Sequence, residues 1–314
     1  MSPPDLLHFE PLNQPRVWGG RQLETRLGRQ LPDARPYGEA WDLVDREEHQ
    51  SAVAAGPLAG LSLHELWMHR RTEIFGAAYN AHPATRFPLL IKVLDCADDL
   101  SLQVHPPAEV ACLLDGEPKT ELWYVAHASP GARMHAGLKK GVTRDSFHAA
   151  IEHGAVADCV YSMEPVSGDS LLVRSGRVHA LGGGLLVYEI QQNSDTTYRV
   201  FDWNRAGLDG QPRELHVEKS MQCIDFGDTE PQLHHAGPGE ELASCEHFIV
   251  SRRQTGRSAP HHRDRFRLIM PITAVQWGTA SLMPGQLSLL PACATDGFPE
   301  PAGEWLEIEL PPNP

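Results

Sequence analysis

The sequence predicts a mainly β protein: a β-sandwich or barrel of the jelly-roll kind with short inserted helices, followed by a second, smaller β-unit. Three observations carry this. From Gly168 onward, the runs SLLVR, VHAL, LLVYEIQQN and TTYRVFDW are separated by SGR and GGG turns, the spacing of closely paired strands. Between Phe87 and Val125, in FPLLIKVLDCADDLSLQVHP and KTELWYV, polar and apolar residues alternate at the two-residue period of a strand. Near Asp228 the composition shifts: TEPQLHHAGPGEE is rich in Gly, Pro and His and reads as a long loop. It divides residues 1–228 from 229–314, where FIVSRR, RFRLIMPI, AVQWGT, QLSLLPA and EWLEIEL again read as strands.

The elements follow in order. Gly19-Gly20 and Pro36-Tyr37-Gly38 have turn chemistry, and AWDLV (residues 40–44) is strand-like. Ser62-x-x-Glu65 is a capping-box pattern, and Leu63, Leu66, Trp67 and Ile74 continue it at helical spacing, interrupted by Arg70 and stopped by Gly76. In the strand from Phe87 to Asp95, Lys92 lies between Leu90 and Leu94 on one face, as a snorkelling edge residue or part of a site. Pro106-Pro107 opens a short helix, and Thr143 caps another that ends at Gly154, with Phe147 and Ile151 as its buried pair.

The formal net charge of −14 disfavours nucleic acid and anionic membranes as partners. No run of 18 apolar residues suggests a membrane span, and the N-terminal stretch lacks the pattern of a signal peptide. The six cysteines are scattered without a C-x-x-C, so a reducing, cytoplasmic setting is expected and a disulfide framework is not.

The chemistry concentrates in the alternating stretch. Ser101, Gln103 and His105 would share one strand face, with Leu102 and Val104 on the other, and Lys119 and Glu121 repeat the pattern on the next strand. Burying these polar side chains together is costly unless they serve one another or an ion. His179, at a strand edge between two Gly turns, has the setting of a barrel-mouth ligand. Two His and a carboxylate suit Zn²⁺ with an open position, and equally Fe(II) for oxygen chemistry. Arg199 is either an exposed edge residue or, if it reaches the same cavity, a grip for a phosphate. His234-His235 and His261-His262 lie in polar, loop-like sequence and read as solvated surface.

With these residues assembled, the sequence resembles the class I mannose-6-phosphate isomerases in their short bacterial form. The matching stretches are PRVWGGRQL, GEAWDLVD, FPLLIKVLDCADDLSLQVHP, KTELWYV, GLKKGVTRDSF, SGRVHALGGG, EIQQNSDTTYRVFDWNR and HVEKSM, in order over most of residues 15–222. The resemblance implies two cupin (jelly-roll) barrels, only the first carrying the site. It implies one zinc per chain on Gln103, His105, Glu121 and His179, an active-site Arg199, and Ser101 and Lys119 helping Arg199 hold a substrate phosphate. One departure is Arg174-Ser175, where the family often has proline-alanine before the V-H-A turn.

The implied reaction is interconversion of mannose 6-phosphate and fructose 6-phosphate through an enediol, which needs a base and stabilisation of an oxyanion. Lys92, Lys119, Glu189 and a metal-bound water are the candidate bases. Competing readings are a metal-dependent cupin oxygenase and a non-catalytic sugar-phosphate-binding cupin. The expected partner is a small-molecule sugar phosphate, with the chain a monomer or weak homodimer.

Overall fold

The computed structural model describes residues 6–257, 264–294 and 301–311. The chain is mainly β and forms two compact units, both discontinuous in sequence. One comprises Asn13–Ala40 and Val93–His234; we call it the Gln103 unit. The other comprises Met1–Leu12, Trp41–Lys92 and His235–Pro314; we call it the Trp305 unit. The two units do not follow a linear boundary at residue 228. Strand pairing explains part of this, because Leu7–His8 pairs with Ser288–Leu290.

The Gln103 unit is built on two antiparallel sheets. A five-stranded sheet runs Tyr198–Phe201, Leu102–Val104, His179–Leu181, Met134–Leu138, Val160–Met163. A six-stranded sheet supplies the parts of Leu12–Gly20, Tyr37–Leu43 and Leu89–Cys96 that fall in this unit, and then Leu185–Gln192, Glu121–Ala128 and Ser170–Val173. Met134, Ala136 and Leu181 of the first sheet pack with Trp123, Val125, Val173 and Val187 of the second, so the inner faces close a jelly-roll core. Leu102 and Val104 lie on the opposite face of their sheet, as alternation predicts. There they join Phe147 of the helix Arg144–Glu152 and Met221 of the helix Val217–Cys223. Thr143 caps the first of these helices by accepting from the Ser146 N–H.

The expected turns at Gly19-Gly20 and Pro36-Tyr37-Gly38 are not turns. Gly19, Gly20, Tyr37 and Gly38 lie within strands. Their glycines serve a close approach instead: a Cβ on Gly19 would meet the Gly38 nitrogen at 2.3 Å.

In the Trp305 unit a six-stranded sheet runs Leu7–His8, Ser288–Leu290, Arg267–Pro271, Glu304–Glu309, Ile249–Gln254, Glu241–Ser244. The helix Leu63–His69 begins at Ser62 with the predicted capping box and ends at Arg70, where a second short helix, Arg71–Ile74, takes over. These helices pack with residues of the C-terminal segment of the same unit. Phe75 stacks edge-on to Phe266 at 5.1 Å, and the Ala292 N–H donates to the Ile74 carbonyl. Gly76, at φ 104°, lies so close to the Asp264 backbone that a Cβ would clash.

Candidate metal centre

Strand register brings the polar residues together. His179 and Arg199 stand directly opposite Gln103, one on each side of its strand. Opposed residues of antiparallel strands project from the same face, so Arg199, Gln103 and His179 form a row across the five-stranded sheet. On the other sheet Gln191 stands opposite Glu121, and Glu189 opposite Trp123, giving a second polar group on one face. His105 follows its strand directly, just before Pro106.

His105, Glu121 and His179 are fully buried, with donor atoms within 4.8 Å of one another. His105 Nε2 lies 3.5 Å from Glu121 Oε2, and His179 Nε2 lies 3.5 Å from Glu121 Oε1. The Nδ1 of His105 is 2.8 Å from the Thr196 carbonyl, and that of His179 is 2.8 Å from the Arg177 carbonyl. A carbonyl only accepts, so each Nδ1 carries the hydrogen and each Nε2 presents a lone pair to the site. Gln103 Nε2 is 3.3 Å from His179 Nε2, and Ser101 Oγ donates to Gln103 Oε1 at 3.2 Å.

Electrostatics favour neutral rings around an ionised carboxylate. Burial, with the Lys119 charge, lowers the His105 pKa from 6.5 to about 3, and burial also lowers that of His179. Burial alone would raise the Glu121 pKa, but Lys119 and the histidines hold it well below the usual carboxylate range. Lys119 Nζ is 2.7 Å from Glu121 Oε2 and 3.9 Å from Glu189 Oε2; these carboxylates outweigh burial and raise its pKa.

The donor set fits a divalent ion. Imidazole lone pairs face carboxylate oxygens, acceptor against acceptor. Among the described residues His105 Nε2 and Glu121 Oε1 have no hydrogen-bond partner. Such groups are costly to bury unless a cation lies among them. Each ring is also held through its other nitrogen, the arrangement that orients metal-binding histidines.

The remaining sequence-predicted residues are placed as follows. Glu189 joins the group beside Lys119, and its Oε1 accepts from Trp123 Nε1 at 3.1 Å. Arg199 is half-buried; its Nη1 donates to the Glu214 carbonyl at 2.7 Å. Burial and the Arg213 charge lower its pKa, while Asp202 opposes them. Lys92 falls in the Trp305 unit, where its ammonium is 5.2 Å from the Trp41 ring centre. His234 and His235 are exposed, and His261 and His262 lie outside the described residues.

Sequence reasoning missed Trp123, Arg177, Gln191 and Thr196. Trp123 had a signal, since it continues the alternation of Lys119 and Glu121. Arg177 and Thr196 act through backbone carbonyls, which every residue carries, so side-chain type gave no signal.

Comparison with known proteins places the chain in a family. A model of the phosphomannose isomerase type I catalytic domain matches residues 6–115. Mannose-6-phosphate isomerase ManA of Bacillus subtilis (strain 168) is 37% identical over 262 residues, which span 81% of this chain and 80% of that protein. The mannose-6-phosphate isomerase of Streptococcus mutans is 36% identical over 213 residues, 68% of this chain and 65% of that protein. Among solved structures, the mannose 6-phosphate isomerase of Bacillus subtilis superposes with a TM-score of 0.86 at 28% identity, covering 98% of this chain and all of that one. With identity at this level over most of both sequences, the chain belongs to the type I phosphomannose isomerase family.

Proposed function

We propose that this chain interconverts mannose 6-phosphate and fructose 6-phosphate, using one Zn²⁺ held by Gln103, His105, Glu121 and His179. The observation that carries the reading is the buried group of two neutral imidazoles and one carboxylate whose acceptor atoms converge. Gln103 joins as the fourth ligand with its amide turned so that Oε1 takes the place of Nε2; the two orientations differ only in which atom is called oxygen. Ser101 Oγ would then accept from the amide instead of donating to it.

When bound, the ion supplies positive charge beside the sugar's reacting oxygens. The chain's own residues do the rest. Lys119, kept protonated by Glu121 and Glu189, serves as a cation and not as the base. Glu189, next to Lys119 and steadied by Trp123, is the side chain that takes the proton from one of C1 and C2 and returns it to the other. Arg199 anchors the phosphate: among the described residues its buried Nε has no hydrogen-bond partner, which leaves part of the guanidinium fork to an added anion. Ser101 and Lys119 share that contact, each trading a partner within the site, Gln103 or Glu121, for the phosphate. Holding the remote phosphate keeps the reacting carbons in position.

The test is a coupled assay of mannose 6-phosphate turnover on the protein as purified, after chelation, and after Zn²⁺ is restored. Turnover that is lost and then recovered is expected. Full turnover in metal-free protein, or none in metal-loaded protein, would overturn the reading.

A further inference from the structure

The turn between the strands Ser170–Val173 and His179–Leu181 has the sequence Arg174-Ser175-Gly176-Arg177-Val178. In five residues it touches the segments of all three members of the buried group. Toward His105, the Gly176 N–H donates to the His105 carbonyl at 2.9 Å. Toward Glu121, Ser175 Oγ accepts from the Lys119 N–H at 3.2 Å, and the Ser175 N–H reaches Thr120 Oγ1 at 3.4 Å. Toward His179, the Arg177 carbonyl takes the imidazole hydrogen at 2.8 Å.

The turn is itself clamped. Arg177 Nε and Nη2 each donate to an Asp228 carboxylate oxygen at 2.7 Å, and Nη1 donates to the Leu172 carbonyl at 2.7 Å. The Gly176 carbonyl accepts from the Asp225 N–H. Gly176 sits at φ 88°, which only glycine adopts without strain, and a Cβ there would lie 3.2 Å from the Cys223 carbonyl.

We propose that Ser175 and the Arg177–Asp228 pair are positioning residues that set the spacing of His105, Glu121 and His179 for a divalent cation. Where a proline would stiffen this turn through its own backbone, the chain fixes it through a hydroxyl and a two-pronged ion pair. Ser175 ties the turn to the strand end that carries Glu121. Arg177 fixes the carbonyl that selects the His179 tautomer, and a two-pronged guanidinium–carboxylate contact holds an angle as well as a distance. Losing such a support loosens the ligands without removing any of them. The proposal rests on the reading of this group as a metal centre.

The experiment measures Zn²⁺ affinity of the purified holoenzyme by competition with a chromophoric chelator, alongside thermal unfolding of the chelated proteins. Asp228→Asn keeps the shape but loses the ion pair, and is expected to weaken Zn²⁺ binding by about ten- to hundredfold. Ser175→Ala, a single hydroxyl removed from a turn, is expected to weaken it by about tenfold, and Ser175→Thr, which restores the hydroxyl, by less than about threefold. The chelated variants should unfold close to wild type. Zn²⁺ affinity within about twofold of wild type in both Ser175→Ala and Asp228→Asn would overturn the proposal, as would equal losses in Ser175→Ala and Ser175→Thr. Wild-type protein that binds no Zn²⁺ would overturn the metal reading itself, and this proposal with it.

Discussion

Each β-unit buries a carboxylate, and the two are treated in opposite ways. In the Trp305 unit, Glu307 meets Arg253 at 3.1 Å and Arg267 at 3.3 Å, beside a core of Ile269, Trp277, Leu290 and Trp305. Positive charges face the carboxylate, and apolar residues fill the space near it. In the Gln103 unit, Glu121 has one cation, Lys119, and two imidazoles that present lone pairs to it. In the first arrangement each carboxylate oxygen accepts from a guanidinium. The second is completed only by something from outside, and that separates a structural ion cluster from a site.

The largest effect expected from this contrast is on metal. His105→Ala or His179→Ala should remove most of the bound ion, measured by elemental analysis, and with it at least about a thousandfold of isomerase activity, several kcal/mol of barrier. Full metal occupancy in both variants would erase the distinction between the two units. In the Trp305 unit, Arg267→Ala should instead cost about 3 kcal/mol of folding stability, since it leaves Glu307 partly unmatched. Turnover per folded molecule should stay at the wild-type level, as read by denaturation alongside kinetics.

Arg199→Ala should lose about 3 kcal/mol of transition-state stabilisation, roughly a hundredfold in kcat/KM, with zinc content unchanged. Arg199→Lys should also fall well short of wild type, because it keeps the charge and loses the planar fork. Wild-type kinetics in both would move the phosphate contact away from Arg199.

How much of this was legible in the sequence depends on the range of the interaction. Ser101, Gln103 and His105 share a face because of a two-residue period, and the Ser62 and Thr143 caps are local, so all were readable. The close approach of Gly19 and Gly38 depends on residues far apart in sequence, and so two apparent turns proved to be strands. The helices after Ser62 were readable as helices, but their packing against Phe266 was not. Ser175 carried a partial signal, as a departure from the family's proline-alanine, but its hydrogen bond to the Lys119 backbone required the fold.

A smaller effect concerns pH. In metal-free protein the folded His105 titrates near 3, against 6.5 for an ordinary imidazole. Below 6.5 the unfolded chain therefore binds a proton that the folded chain refuses. This contribution to stability is complete above 6.5 and is lost as pH falls toward 3. Glu307 has the opposite sign: burial raises its pKa despite both arginines, so its contribution is present at low pH and lost as pH rises through the raised value. The thermal midpoint of chelated protein should thus drop between pH 7 and 5. The drop should shrink in His105→Gln and not in Glu307→Gln. An unchanged slope in His105→Gln would contradict the assigned neutrality of that ring.

The smallest effect is expected at the exposed pair His234 and His235. Alanine at both should leave kcat within about twofold of wild type, as for most surface changes; a large loss at normal stability would bring that segment into the site.

The central claim is that Glu121, and not Glu307, belongs to a catalytic metal centre. Metal-to-protein ratio and mannose 6-phosphate turnover, measured on the same samples of wild type, Glu121→Gln and Glu307→Gln, test it most directly. The account predicts that both quantities collapse together in Glu121→Gln and that both persist in Glu307→Gln. Glu121→Gln retaining metal and turnover, or folded Glu307→Gln losing both, would contradict it.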